Sequence, residues 1–304
     1  MSHYEIRTDL ALEARETITE EAEELRGVSV EEFYQKEIDV RVTKVIIETK
    51  NGAKAMGKPI GTYITLEAPG MVEKDEDYHR EISEELAEHL AEIIPDLEQE
   101  QSILVVGLGN QDVTADALGP HVVDNLYITR HVVKEYGRAA YNRSRVHMIS
   151  SIVPGVMAKT GMESAEIIRG IVQETEPTVI IVIDALAARS TKRLNRTIQI
   201  TNTGIHPGSG VGNHRNALTE ESLGIPVIAI GVPTVVDAAT IVNDAMEKTI
   251  EQLKKTNMGM EDDFPKIMSE LNNMYVTSKD IDETIKSLSF LISEALNITF
   301  DRLE

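Results

Sequence analysis

The sequence predicts an α/β protein, a doubly wound and mostly parallel sheet flanked by helices, with a β-hairpin lobe on its N-terminal side. Three observations lead there. Short apolar runs at Ile103 to Val106, Val179 to Ile183 and Ile225 to Ile230 read as buried strands. Between them, apolar residues recur at helical spacing, as Ile167, Ile168, Ile171 and Val172 do within Thr160 to Glu174. Strand and helix patterns then alternate along the chain, as crossover connections of a parallel sheet require.

Each element has its own local reason. Met1 to about Gly27 is charged and helix-leaning, with Leu10, Leu12 and Leu25 as its main apolar anchors, so a mobile or removable N-terminus is expected. Asp39 to Ile47 alternates through Val40, Val42 and Val45, Asn51-Gly52 is a turn signal, and Thr62 to Leu66 reads as the returning strand. Residues 39–70 are therefore expected as a small hairpin subdomain. Ile82, Leu86, Leu90 and Ile93 mark a helix that Pro95 stops. After the strand Ile103 to Val106 come a glycine turn and a helix from Leu118 to about Tyr136. A strand around Val146 to Val153, the helix Thr160 to Glu174 and a strand ending on Asp184 follow. Ile198 to Thr201 is a short strand, and Gly204 to Asn213 is a glycine-rich loop. The strand Ile225 to Ile230 ends at Gly231-Val232-Pro233, before a helix over Ala238 to Lys254 and an acidic loop at Glu261 to Asp263. Ile281, Ile285, Leu288, Ile292 and Leu296 mark the last helix. Residues 10–304 are expected as one domain.

Composition narrows the function. The 304 residues allow a sizeable core. No run of about 18 apolar residues exists, and the N-terminus lacks a basic or apolar leader, so neither a membrane span nor a signal peptide is expected. Cysteine is absent, which removes disulfides, thiolate nucleophiles and cysteine-bound zinc and suits a cytoplasmic location. A formal net charge of −21 repels phosphate backbones, so no direct nucleic-acid binding is expected.

The chemistry gathers at strand ends. Val106-Gly107-Leu108-Gly109-Asn110 leads to Asp116, and the second buried strand leads to Asp184. If both strands share one parallel sheet, both carboxylates stand over one edge, where open α/β sheets place their sites. Two such acids can hold unequal protonation and work as acid and base. Each also has a plainer reading, Asp116 as a helix N-cap and Asp184 as a loop cap. The two glycines suggest a dinucleotide turn, but Asp112 stands where the third glycine belongs and would face a pyrophosphate. His206 could complete a metal site with Asp116 and Asp184, or orient a substrate. Gly208, Gly210 and Gly212, around Ser209, allow backbone N–H groups to approach a ligand closely. No His-Glu-x-x-His and no Gly-x-Ser-x-Gly occurs, so zinc-helix and serine-elbow hydrolases are excluded. An acid-pair hydrolase remains, beside a metal-assisted one and a non-catalytic protein binding through the glycine loop.

The same stretches resemble the spore germination protease family. They are Val106 to Asn110 with Val113 to Pro120, Ile152 to Met157, Ile183 to Ser190, Gly204 to Asn213 and Gly224 to Ala238. The resemblance implies an atypical aspartic endopeptidase of the spore core that degrades small acid-soluble spore proteins at germination. It implies a fold related to the hydrogenase maturation proteases and a tetramer. It assigns the essential pair to Asp116 and Asp184. From the histidine and the glycine-rich loop themselves, His206, Gly208, Ser209 and Gly210 are the expected substrate-binding set. No cofactor is expected, while a metal held by Asp116, Asp184 and His206 stays open. Gln111-Asp112 departs from the family's usual aromatic-Asn pair, and the region after about Asn257 diverges. The resemblance also implies a self-cutting zymogen. Thr8-Asp9-Leu10-Ala11-Leu12-Glu13 looks like the family's target sequence, so cleavage between Asp9 and Leu10 is expected to remove residues 1–9.

Overall fold

The computed structural model describes residues 8–19, 26–73, 75–143, 145–208, 216–242, 245, 271 and 274–302. Its strands are β1 (Val28–Gln35), β2 (Val40–Ile47), β3 (Gly61–Glu67), β4 (Ser102–Gly107), β5 (Met148–Ile152), β6 (Val179–Ala188), β7 (Thr197–Thr201), β8 (Val227–Asp237) and β9 (Tyr275–Val276). They form one sheet in the order β1-β2-β3-β7-β8-β6-β4-β5, with β9 beside the far end of β8. The half from β8 to β5 is parallel. The half from β1 to β7 is antiparallel, and β7 pairs antiparallel with β8 to join the two. The expected hairpin strands are thus β2 and β3, carried edge-on into the main sheet by β7.

The helices are α1 (Ala11–Thr19), α2 (Lys50–Met56), α3 (Glu76–Ile93), α4 (Leu118–Asp124), α5 (Arg130–Tyr136), α6 (Met157–Thr160), α7 (Ser164–Thr175), α8 (Glu220–Leu223) and α9 (Ile281–Phe300). Strand alternation sorts the core into two faces. Ile103 and Val105 of β4 and Ile181 and Ile183 of β6 pack under α3, α4 and α9. Leu104 and Val106, with Ile180 and Val182, face Ala165 and Ile168 of α7. The odd-numbered Val45, Ile47 and Tyr63 of β2 and β3 pack under Ala11 of α1 and Met56 of α2.

Several elements differ from the sequence expectation, each for a local reason. Asn51-Gly52 lies inside α2 rather than in a turn, because the Thr49 hydroxyl caps the Gly52 N–H at 3.1 Å and starts a helix. The single helix expected over Leu118 to Tyr136 breaks into α4 and α5. There Thr129 bonds β5 instead, its N–H to the Ile149 carbonyl at 3.1 Å and its hydroxyl to the Ile149 N–H at 2.9 Å. Strand β8 runs through Gly231-Val232-Pro233 where an end was expected. Pro233 is tolerated because pairing with β7 stops at Gly231, so no ladder needs its missing N–H. Strand β6 likewise continues to Ala188, accompanied by β8. The acidic loop at Glu261 to Asp263 and most of the expected helix to Lys254 lie outside the described residues.

Candidate active site

Asp184 occupies the point where β4 stops. Gly107 pairs with Ile183, and the Leu108 N–H then donates to the Ile183 carbonyl at 2.8 Å as its chain leaves the sheet. Strand β6 goes on beside β8, with Asp184 opposite Gly231. Asp184 is buried, 7% exposed, and its carboxylate accepts the Ala185 N–H at 3.0 Å.

The loop after β4 brings Asp116 back over the same ends. A short 3-10 turn, Thr114–Asp116, closes it, and the Asn110 N–H donates to the Asp116 carbonyl at 2.9 Å. Gly109 makes this possible at φ 118°, since a Cβ there would stand 1.9 Å from that carbonyl oxygen. Gly119 is equally constrained, because a Cβ would meet the Leu108 carbonyl at 2.4 Å and the Ile183 carbonyl at 2.7 Å. The turn touches both β6 and β8. Its hold on β8 comes from a bulge. Pro233 pairs with Leu186 and Val235 with Ala187, so Thr234 is an extra residue. Its hydroxyl donates to the Ala115 carbonyl at 2.6 Å. Asp116 is half-buried and does not cap α4, whose N-cap is Ala117 with no side-chain bond. The glycine pair therefore serves close packing around an acid, not a dinucleotide. Asp112 is exposed and ion-paired with Lys159.

A cleft of about 80 Å³ opens beside Asp184. Its walls include His206, Gly208, Lys58, Tyr63, Gln199 and Asp9. The structure thus brings Asp184, His206 and Gly208 together, while Asp116 sits at the strand ends without lining the cleft. His206 is exposed. Ser209 and Gly210 lie outside the described residues. Burial pushes the Tyr63 phenol up to about 12, and its hydroxyl donates to the Pro59 carbonyl at 2.9 Å. Burial lowers the Lys58 ammonium, with Asp9 and Glu13 acting the other way. Among the described residues, no three His, Asp or Glu side chains converge closely enough to share a metal ion.

Asp9 lines the cleft because the N-terminal segment, expected to be mobile, is docked where it is described. The Asp9 N–H donates to the Ala187 carbonyl at 3.1 Å, and the Asp9 carboxylate accepts the Ala187 N–H at 2.9 Å. Leu10 is fully buried against Leu186, Ala188 and Val236. Glu13, 2% exposed, accepts the Arg189 and Ser190 N–H groups at 2.7 and 3.0 Å, and Arg193 stands 3.4 Å from it.

Sequence reasoning did not single out Lys58, Tyr63 or Gln199. Gln199 carried a faint signal as a polar residue between Ile198 and Ile200, facing away from the main core. Lys58 had none, since it merely follows Gly57, the left-handed C-cap of α2.

The profile of the germination protease family matches residues 5–269. A germination protease of Caldanaerobacter subterraneus is 46% identical, covering 96% of this chain and 93% of that protein. One of Clostridium perfringens is 45% identical, covering 97% and 95%. Among solved structures, a NiFe hydrogenase maturation protease of Thermococcus kodakarensis matches with a TM-score of 0.34 at 17% identity, over 68% of this chain and 98% of that one. The family profile and the two germination proteases define a peptidase, a hydrolase. The chain belongs to the germination protease family.

Proposed function

We propose that this peptidase is an acid-pair endopeptidase that starts the degradation of small acid-soluble spore proteins in the spore core. In this reading Asp116 and Asp184 share the chemistry. One, ionised, takes a proton from the attacking water, and the other, protonated, returns one to the departing amine. The two titrate as a pair, so neither role belongs to one residue by itself. The protein is made as a zymogen, removes residues 1–9 by cutting between Asp9 and Leu10, and works as a homotetramer. His206 and the loop carrying Gly208, Ser209 and Gly210 hold the substrate chain. The charge of −21 disfavours any direct hold on the DNA that such substrates coat.

One observation carries the reading. Asp9, whose peptide bond is the expected cutting point, lines the same cleft as Asp184. The decisive experiment is incubation of the full-length chain at pH ~5, where one carboxylate of a pair can keep its proton, followed by intact mass and N-terminal sequencing. Wild type should yield a chain starting at Leu10. Asp116→Asn and Asp184→Asn should stay full length with a normal circular dichroism spectrum. Processing by either variant at the wild-type rate would remove the acid pair from the mechanism. Exhaustive chelation should leave processing unchanged. If activity falls and a divalent ion restores it, the metal-dependent alternative takes over, with His206→Ala as its follow-up.

A further inference from the structure

An acid pair supplies a base and a proton, but hydrolysis of an amide also builds negative charge on the carbonyl oxygen. Preorganised donors at that oxygen are a large source of rate enhancement. In the docked segment the oxygen in question is the Asp9 carbonyl. The Lys58 Nζ stands 2.8 Å from it and the Gln199 Nε2 3.4 Å. The bond is also held on both flanks. Gln199 Oε1 accepts the Ala11 N–H at 2.7 Å on one side, and Asp9 exchanges two hydrogen bonds with Ala187 on the other. Leu10, between them, is buried against Leu186 and Ala188, which alternate onto the same face of β6 as Asp184.

We propose that Lys58, assisted by Gln199, is the oxyanion-stabilising group of self-processing, an assignment that rests on the cleavage between Asp9 and Leu10 proposed above. Water oxygen bonds to the Asp9 carbonyl carbon while its proton passes to the ionised aspartate. The carbonyl electron pair moves onto oxygen, and the Lys58 ammonium and Gln199 amide hold that charge. The charge then returns, the bond to the Leu10 nitrogen breaks, and that nitrogen takes a proton from the protonated aspartate. The products are an Asp9 carboxyl end and a Leu10 amine. Lys58 is well suited, because partial burial strengthens a charge–charge contact compared with water. It also confines the protonated aspartate to the leaving amine, since the carbonyl oxygen is already served.

A purely structural Lys58 would pin the segment, as its longer contact of 3.4 Å to the Thr8 carbonyl also does. Two readouts separate the roles on the full-length protein at pH ~5. Lys58→Met should slow self-processing by about 100-fold, the typical loss of one oxyanion donor, with hydrogen-exchange protection of the Asp9 and Ala11 amides unchanged. Lys58→Ala should regain part of the rate with added methylammonium, and none with sodium at equal ionic strength. Gln199→Glu keeps the acceptor for Ala11 and sets a carboxylate against the developing charge in place of the donor, so it should slow processing by about 100-fold or more. It decides the matter alone if Lys58→Met does not fold. Wild-type processing rates in the Lys58 or Gln199 variants would overturn the assignment, and so would loss of amide protection in parallel with loss of rate. An Asp184→Asn chain that still cuts itself is a different failure, that of the acid pair, and leaves the Lys58 comparison readable.

Discussion

At the scale of single residues, the site depends on groups that have no chemistry of their own. Gly109 is the sharpest case. Any Cβ there meets the Asp116 carbonyl, so Gly109→Ala must displace the aspartate or distort the turn that carries it. Turnover should fall nearly as far as in Asp116→Asn, and thermal denaturation should show a loss of more than about 1 kcal/mol, the usual scale for a side chain forced into left-handed backbone. His147 gives a second prediction, on pH. It is buried beside Phe300, its Nδ1 accepts the Gln101 N–H at 3.1 Å, and its Nε2 has no partner among the described residues. Burial brings it down to about 4 from 6.5, with Glu100 opposing. The unfolded chain therefore binds a proton that the native one refuses. This group leaves stability flat above pH 6.5 and removes it as pH falls towards 4, by at most about 1.4 kcal/mol per pH unit. Urea denaturation at pH 7, 6 and 5 should show that slope, and His147→Asn should flatten it.

Among the elements, the docked N-terminal segment is the one with the most to test. Its hold combines the buried Leu10 with the capping of Arg189 and Ser190 by Glu13. Leu10→Ala should weaken docking by about 2–5 kcal/mol, since it empties a fully buried apolar site. Limited trypsin digestion should then cut after Arg15 faster than in wild type, with the rest of the fold unaltered. The sequence made some elements plain and hid others. Strands β4, β6 and β8 were readable because burial on both faces demands unbroken Val, Ile and Leu. The final helix was readable from its apolar spacing, and Leu288, Ile292 and Leu296 are indeed buried. Strand β1 gave no such mark, because it is an edge whose residues are mostly exposed, Phe33 at 55% and Tyr34 at 56% among them. The bulge at Thr234 was equally silent, since it exists only in the register between two strands. Asp116 and Asp184 were legible as acids at strand ends. Lys58 and Gln199 were not, because their work is defined by a backbone oxygen on a segment far away in sequence.

Across the whole molecule, the cleft lies on the joint between the two halves of the sheet. The parallel half brings Asp184 and Gly231, the joining strand β7 brings Gln199 and Thr201, and the antiparallel side brings Lys58 and Tyr63. Helix α9 closes the back of both, packed on α3 and α4. The cleft is consequently indivisible. A gene cut at residue 74 would encode one piece owning the lysine and another owning both aspartates, and neither could inherit the activity. Expressed together, the pieces should regain it only when β3 and β7 find each other again, so turnover becomes a census of reunited halves.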